Sequence, residues 1–308
     1  VFSISTSWTS SEAETAAELI NPILELGVQA IELEYRVTEE MFKEVLPALR
    51  RKEPAASSVH NFFPVPSGLR KEEGSGDAFL LSSPDRDERE RAIQYTRRTL
   101  EFAYEAGAGA VVLHLGFTDM DDEYQQLKKE YQKNASADLK GRVRPLLIER
   151  RQLSQKYVDA ALFSLDKLWR SAEQLSLKLG IENRNTLREV PDVEEMDVIF
   201  QRFEGAPIGY WHDTGHAAAQ ELFYGIGHEA QLSRFADRLI GIHLHDAEAG
   251  NDHMAPGMGI IDFEMVKKYV PLSAFRVIEV HSGIGMHDLR DGIRFLKERS
   301  FLEEETPG

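Results

Sequence analysis

Short runs of apolar and β-branched residues alternate along the whole chain with longer stretches whose apolar positions recur at helical spacing. Eight of the short runs read as strands: Phe2–Ser7, Ala30–Tyr35, Ala55–Phe62, Ala110–Gly116, Leu179–Asn185, Ile208–Asp213, Leu239–Asp246 and Phe275–His281. The stretches between them read as helices; in "SEAETAAELINPILELG", Ser10 or Ser11 can cap the start and Gly27 stops the end. A strand followed by a helix, repeated eight times in roughly 250 to 300 residues, is the pattern of an α/β (β/α)8 TIM barrel. No linker, low-complexity tract or composition break divides the 308 residues, so the expectation is a single barrel domain over 1–308.

Two connections are longer than a barrel needs: Phe63 to about Arg86, after the third strand, and Phe117 to about Arg144, after the fourth. Both leave the barrel on the face where such folds hold their active sites, which makes them candidate lids. The second is rich in charge and helix formers and reads equally well as a solvated helical insertion or as the contact of a homo-oligomer.

Composition narrows the partners. With 36 basic against 52 acidic residues the formal charge is −16, which disfavours nucleic acid and anionic membrane. Cysteine is absent, which removes disulfides, thiolate zinc sites and cysteine nucleophiles and suits a reducing compartment. No apolar run reaches the roughly 18 residues of a membrane span, and no basic segment leads into a signal-like apolar one, so a cytoplasmic protein is expected. The glycines of "AGAGAVVLH" precede a strand, whereas a dinucleotide fingerprint places them after one, so no nucleotide cofactor is expected.

Ionisable side chains are costly in strands buried on both faces unless they are paired or metal-bound, and here they gather late in the strands. His60 ends the third, His114 the fourth, Glu182 the fifth, Asp213 the sixth, His243 and His245 the seventh, and Glu279 and His281 the eighth. In a parallel barrel these ends share one rim, so distant segments converge on a single mouth. Within "YWHDTGH", Tyr210–His216, strand alternation puts Trp211 and Asp213 on one face and His212 on the other. A rim that mixes carboxylates with imidazole and lacks sulfur suits Mn²⁺, Mg²⁺ or Co²⁺, or a catalytic Zn²⁺ with an open position. Such an ion can polarise a carbonyl while a nearby glutamate moves a proton on the adjacent carbon. Trp211 could wall a sugar face, and Gly283 and Gly285, just before a helix start, could receive a phosphate.

Through "SVHNF", "VVLHLG", "GIENRN", "DTGHA", "GIHLHD" followed by "DHMAPGMGIIDF", and "VIEVH", the chain resembles the xylose isomerase-like barrel superfamily over nearly its whole length. That superfamily includes sugar phosphate isomerases and epimerases, ketose 3-epimerases, inosose dehydratases and a branch of apurinic-site endonucleases. The resemblance implies an isomerase or epimerase of a sugar, sugar phosphate or related polyol, working through an enediolate-like intermediate. It implies one divalent ion held by Glu182, Asp213, His243 and Glu279, with Glu182 and Glu279 doubling as the acid–base pair. It places His216 against substrate hydroxyls and leaves His60, His114 and His253 to the substrate, beside Trp211 as the wall already read from its strand. Two alternatives share the scaffold: a lyase in which a β-leaving group departs after the same proton removal, and a multi-zinc endonuclease in which His60, His114, His216 and His253 hold extra ions. The chain departs from the endonuclease pattern at Asn251, where that pattern has aspartate, and from many isomerase-like members at His245, where they carry lysine.

Overall fold

The computed structural model describes residues 2–134 and 139–302, with the backbone alone at Lys140. Val1, residues 135–138 and residues 303–308, which belong to the expected 1–308 domain and in part to the second long connection, lie outside the described residues. The barrel strands are β1 (Phe2–Ser5), β2 (Ala30–Leu33), β3 (Ala55–His60), β4 (Ala110–Leu113), β5 (Lys178–Glu182), β6 (Ile208–Asp213), β7 (Leu239–Leu244) and β10 (Phe275–Ile278). They close in the order β1–β10–β7–β6–β5–β4–β3–β2, every neighbouring pair parallel. A small antiparallel hairpin, β8 (Asp246–Glu248) with β9 (Asn251–Met254), follows β7 on the same rim. This is the (β/α)8 architecture that the alternation predicts. Among the described residues, no helix is long and apolar enough to cross a membrane.

Most strands end sooner than their apolar pattern does. β4 stops at Leu113 and β10 at Ile278, so His114, Glu279 and His281 stand just beyond the ladder. There the backbone leaves its pairing and turns over the mouth, while side chains continue to alternate inward and outward. After a single helical turn at Ser7–Ser10, the first long helix also starts later than expected. Thr15, rather than Ser10 or Ser11, caps Ala16–Glu25: its hydroxyl accepts from Glu18 N at 3.2 Å, and the Glu18 carboxylate accepts from Thr15 N at 3.2 Å. Ser10 is unavailable because its hydroxyl donates to the buried Glu34.

The two long connections differ in kind. Between His60 and Arg86 the chain forms one short turn of 3-10 helix, Lys71–Glu73, and then passes over the mouth at Gly76 and Asp77. A Cβ at Gly76 would lie 2.5 Å from His114 Nδ1 and 2.9 Å from His60 Cε1, so only glycine lets the backbone approach these rings. The second connection is helical, Tyr124–Lys133 and Leu139–Leu153, and packs its apolar face on Leu187, Ala219 and Phe223. Arg150 anchors it: buried, it pairs with Glu195 at 2.7 and 2.6 Å and donates to the carbonyls of Leu187 and Glu189.

Most of the apolar core lies between the strands and the surrounding helices. The barrel interior holds a second, smaller cluster of Ala110, Val112, Trp211 and Val277. Trp211 spans this space because the flanking strands carry glycine beside it, Gly180 on β5 and Gly241 on β7. On the opposite side the interior is polar: Ser57 donates to Ser3, and Ser58 donates to Glu32 Oε2 at 2.7 Å. A Cβ added at Gly241 would sit 2.2 Å from Trp211 Cζ3. Gly241→Ala is therefore expected to lower stability by about 1–3 kcal/mol through overpacking. Urea unfolding checks this, and an unchanged midpoint would mean that Trp211 repacks freely.

Candidate active site

The late position of the ionisable residues in their strands places Glu182, Asp213, His243 and Glu279 together. Each offers a ligand atom, and all four atoms lie within 4.8 Å of one another. Register makes this happen: Asp213 stands opposite His243 on neighbouring strands, and Val277, two residues before Glu279, pairs with His243 on the other side. All four side chains are buried. His243 Nδ1 is 3.0 Å from Glu182 Oε1 and 3.1 Å from Glu279 Oε2.

Burial alone would raise the carboxyl groups of Glu182 and Glu279, but the adjacent His243 imidazole overrides it and holds both well below the ordinary carboxylate range. Asp213 is lowered in the same way, against burial, by His216 and His245. Three carboxylates thus surround one imidazole in a buried space, and their charge is offset either by a proton on His243 or by a cation in its place. Ligand atoms around an ion with ~2.1 Å bonds lie about 3 Å apart when adjacent and about 4.2 Å apart when opposite, so this set fits a divalent cation.

Groups behind the ring fix its orientation. Glu32, fully buried on β2, accepts from His243 Nε2 at 3.1 Å and also receives Ser58 Oγ. With an ion bound, that bond would keep the proton on Nε2 and leave Nδ1, which faces the carboxylates, free to ligate. Asp213 caps the helix Thr214–Tyr224 by accepting from His216 N at 2.7 Å. It also accepts from His245 Nε2 at 3.0 and 2.9 Å. The other ring nitrogen of His245 accepts the backbone N–H of His253 at 2.8 Å, so both are committed and His245 positions Asp213.

The remaining predicted histidines surround this centre. His60 Nε2 is 3.4 Å and His114 Nε2 2.8 Å from Glu182 Oε2, and the two rings meet edge to face. His216 donates from Nδ1 to Asn183 O at 2.9 Å, with Glu182 Oε1 3.7 Å away. His253 lies between His245 and His281 in a stack of three near-parallel rings, its Nε2 3.7 Å from Glu279 Oε2. Trp211, expected as a wall for substrate, instead has 0% exposure, because the glycines on both neighbouring strands let the ring sink inward. It forms the floor beneath His243, with ring centroids 5.3 Å apart. His212 points outward to the helices, where it bonds Tyr210 and His228.

Sequence reasoning missed Glu32, Asp77 and Arg184. Arg184 follows Glu182 by two residues; its guanidinium hydrogen-bonds His114 Nε2, donates to Asp77 at 3.1 Å and pairs with Glu189 at 2.6 Å. Glu32 left a readable signal, a carboxylate inside the apolar run "AIELEY", whereas Asp77 sits in an aperiodic loop.

Comparison with known proteins gives a consistent picture. A family model described as xylose isomerase-like TIM barrel matches residues 20–299. An uncharacterised protein of Sinorhizobium fredii, y4fM, is 25% identical over 190 residues, 61% of this chain and 51% of that protein. The chain thus spans about half the length of this curated relative. Among solved structures, D-psicose 3-epimerase of Clostridium cellulolyticum superposes with a TM-score of 0.69 at 14% identity, covering 98% of this chain and 99% of the other. The Escherichia coli 3-keto-D-glucoside 4-epimerase gives 0.67 at 14% identity over 96% and 98%. A D-tagatose 3-epimerase-like protein gives 0.64 at 19% identity over 96% of each chain. At these identities the likeness establishes the fold.

The hydrogen bond from His243 to Glu32 yields a direct expectation. Glu32→Gln preserves shape but lets an amide N–H face His243, which favours the wrong tautomer. Divalent-ion affinity should fall about 10–100-fold, measured by competition with a chromophoric chelator; wild-type affinity would show that Glu32 has no part in orienting His243.

Proposed function

We propose that this chain, which belongs to the xylose isomerase-like TIM barrel family, is a divalent-metal-dependent isomerase or epimerase acting beside a carbonyl of a sugar, sugar phosphate or related polyol. The observation that carries the reading is the meeting of Glu182, Asp213, His243 and Glu279 within 4.8 Å, two of them glutamates on either side of His243 Nδ1. The sugar epimerases among the superposed structures support the substrate class.

In this reading the four residues hold one Mn²⁺, Mg²⁺, Co²⁺ or Zn²⁺, which when bound polarises a carbonyl and its neighbouring hydroxyl. Glu182 takes the proton from the carbon next to the carbonyl, and Glu279 returns one on the opposite face of the enediolate-like intermediate. Glu182 enters ionised and keeps the proton it removes, Glu279 enters protonated and gives one up, and exchange with solvent resets both after turnover. His60, His114, His216 and His253 line the rim and orient the substrate's hydroxyls, while Trp211 keeps water from below. Burial of the ring of ligands gives this electrostatic arrangement its strength.

A lyase would share the first proton removal and differ in what leaves, so product mass separates the two: isomerisation conserves it and dehydration lowers it. The test is a panel of ketoses and inosose-like polyols incubated in D2O with metal-loaded protein, followed by mass spectrometry. Glu182→Gln and Glu279→Gln should each reduce solvent-deuterium exchange at the carbon beside the carbonyl by about 10²–10⁴-fold while circular dichroism stays native. Exchange at the wild-type rate in both variants would remove the acid–base assignment.

A further inference from the structure

We propose that the Arg184 guanidinium occupies a second cation position in the mouth, so that this chain leaves no room for an ion between His60, His114 and Glu182. The inference rests on the reading of Glu182, Asp213, His243 and Glu279 as the cation centre and adds what sets the number of ions.

His60, His114 and Glu182 each offer a ligand atom, the three within 4.8 Å of one another, and all are buried. Two imidazoles and a carboxylate form a donor set suited to zinc and similar borderline cations. The outer ring nitrogens are already fixed from behind: His60 Nδ1 donates to Asn61 O at 2.9 Å, and His114 Nδ1 donates to Asp77 Oδ2 at 3.1 Å. Both Nε2 atoms therefore face Glu182 Oε2, at 3.4 and 2.8 Å. This is the second-shell pattern of metal-binding histidines.

Into that set reaches Arg184. Its Nη1 sits against His114 Nε2, on the side where an ion would have to ligate, and lies 3.9 Å from Glu182 Oε2. A guanidinium stays protonated and has no lone pair to offer, so it repels a cation there and cannot ligate one. It is also held in place. Nε donates to Glu189 Oε1 at 2.9 Å, Nη2 is 2.6 Å from the same oxygen and donates to Asp77 Oδ2 at 3.1 Å, and the residue is 8% exposed. Glu189 is itself fixed by Thr186 N at 2.7 Å. Arg184 thus supplies permanently, as a side chain, the positive charge that His60, His114 and Glu182 would otherwise take from an ion.

The consequence is a latent site that one substitution should open. Wild-type protein and Arg184→Gln are saturated with Zn²⁺, freed of unbound ion by gel filtration, and assayed for zinc per chain by elemental mass spectrometry. Arg184→Gln should hold one zinc more than wild type, and the double variant Arg184→Gln, His114→Ala should lose that increment. Equal counts in wild type and Arg184→Gln overturn the proposal. Removing Arg184 strands the Asp77 and Glu189 carboxylates, so two variants that keep Arg184 provide a second arm. His60→Ala and His114→Ala should each retain the wild-type zinc count, and loss of an ion from either would make it a native ligand and overturn the proposal. The two levels separate cleanly: wild-type protein without bound metal contradicts the Glu182 centre, whereas the Arg184 increment is read as a difference from wild type.

Discussion

Electrostatic repulsion among Glu182, Asp213 and Glu279 is the constraint on which the rest of the mouth depends. Two unit charges 4 Å apart repel by about 4 kcal/mol at an effective dielectric constant of 20, and here three carboxylates converge on His243 within 4.8 Å. Buried N–H groups beside them offset part of that cost: Arg184 lies 3.9 Å from Glu182, and Asp213 accepts from His245 and from His216 N. His114 contacts Glu182, His245 contacts Asp213, and His243 reaches Glu182 and Glu279. Most of the rings are also held from behind, by Asn61 O for His60, Asp77 for His114, Asn183 O for His216 and Glu32 for His243. A ring pinned at one nitrogen has its tautomer decided before any ligand arrives, which is what preorganisation means at this scale.

The interior below the mouth is part of the same arrangement. Trp211 fills one side of the barrel, with glycines on both neighbouring strands, and supports His243 from beneath. The other side is built from Ser3, Ser57, Ser58 and Glu32, all buried and hydrogen-bonded. This asymmetry has a purpose in the geometry of the ring. A uniformly apolar interior would leave His243 Nε2 without an acceptor, and a buried N–H without a partner costs roughly 1–3 kcal/mol. The packing of the barrel and the orientation of its central histidine are therefore one problem with one solution.

Much of this was readable in the chain, and the exceptions have physical reasons. A strand buried on both faces advertises itself as an apolar run, so an ionisable group inside it stands out; this is why Glu182, Asp213, His243 and Glu279 could be found at strand ends. Glu32 carries the same signal but lies lower in its strand, where a carboxylate looks like an isolated anomaly until a partner 211 positions away explains it. Asp77 comes from a loop without periodicity, and nothing local marks it. Arg184 lies in the polar "NRN" past the apolar part of its run, where a cation does not stand out until Asp77 and Glu189 surround it in three dimensions. Ser10 and Ser11 had the right chemistry for a cap, but Thr15 has Glu18 three residues on to complete the reciprocal pair.

The loops complete what the strands begin. The strands supply the carboxylates, a fixed negative charge, whereas Asp77 from the first long connection and Glu189 from the segment after β5 hold Arg184. The second connection reaches the same place indirectly. Arg150 on Leu139–Leu153 grips the carbonyls of Leu187 and Glu189, and the Glu189 side chain grips Arg184, which in turn touches His114. A contiguous series of charge-assisted hydrogen bonds, stronger than neutral ones, thus runs from the outer helix to the rim of the site. The barrel strands can then remain a common scaffold for the carboxylates and imidazole of the mouth while the loops determine the charge beside them, a separation of roles that follows from rigid strands and variable connections.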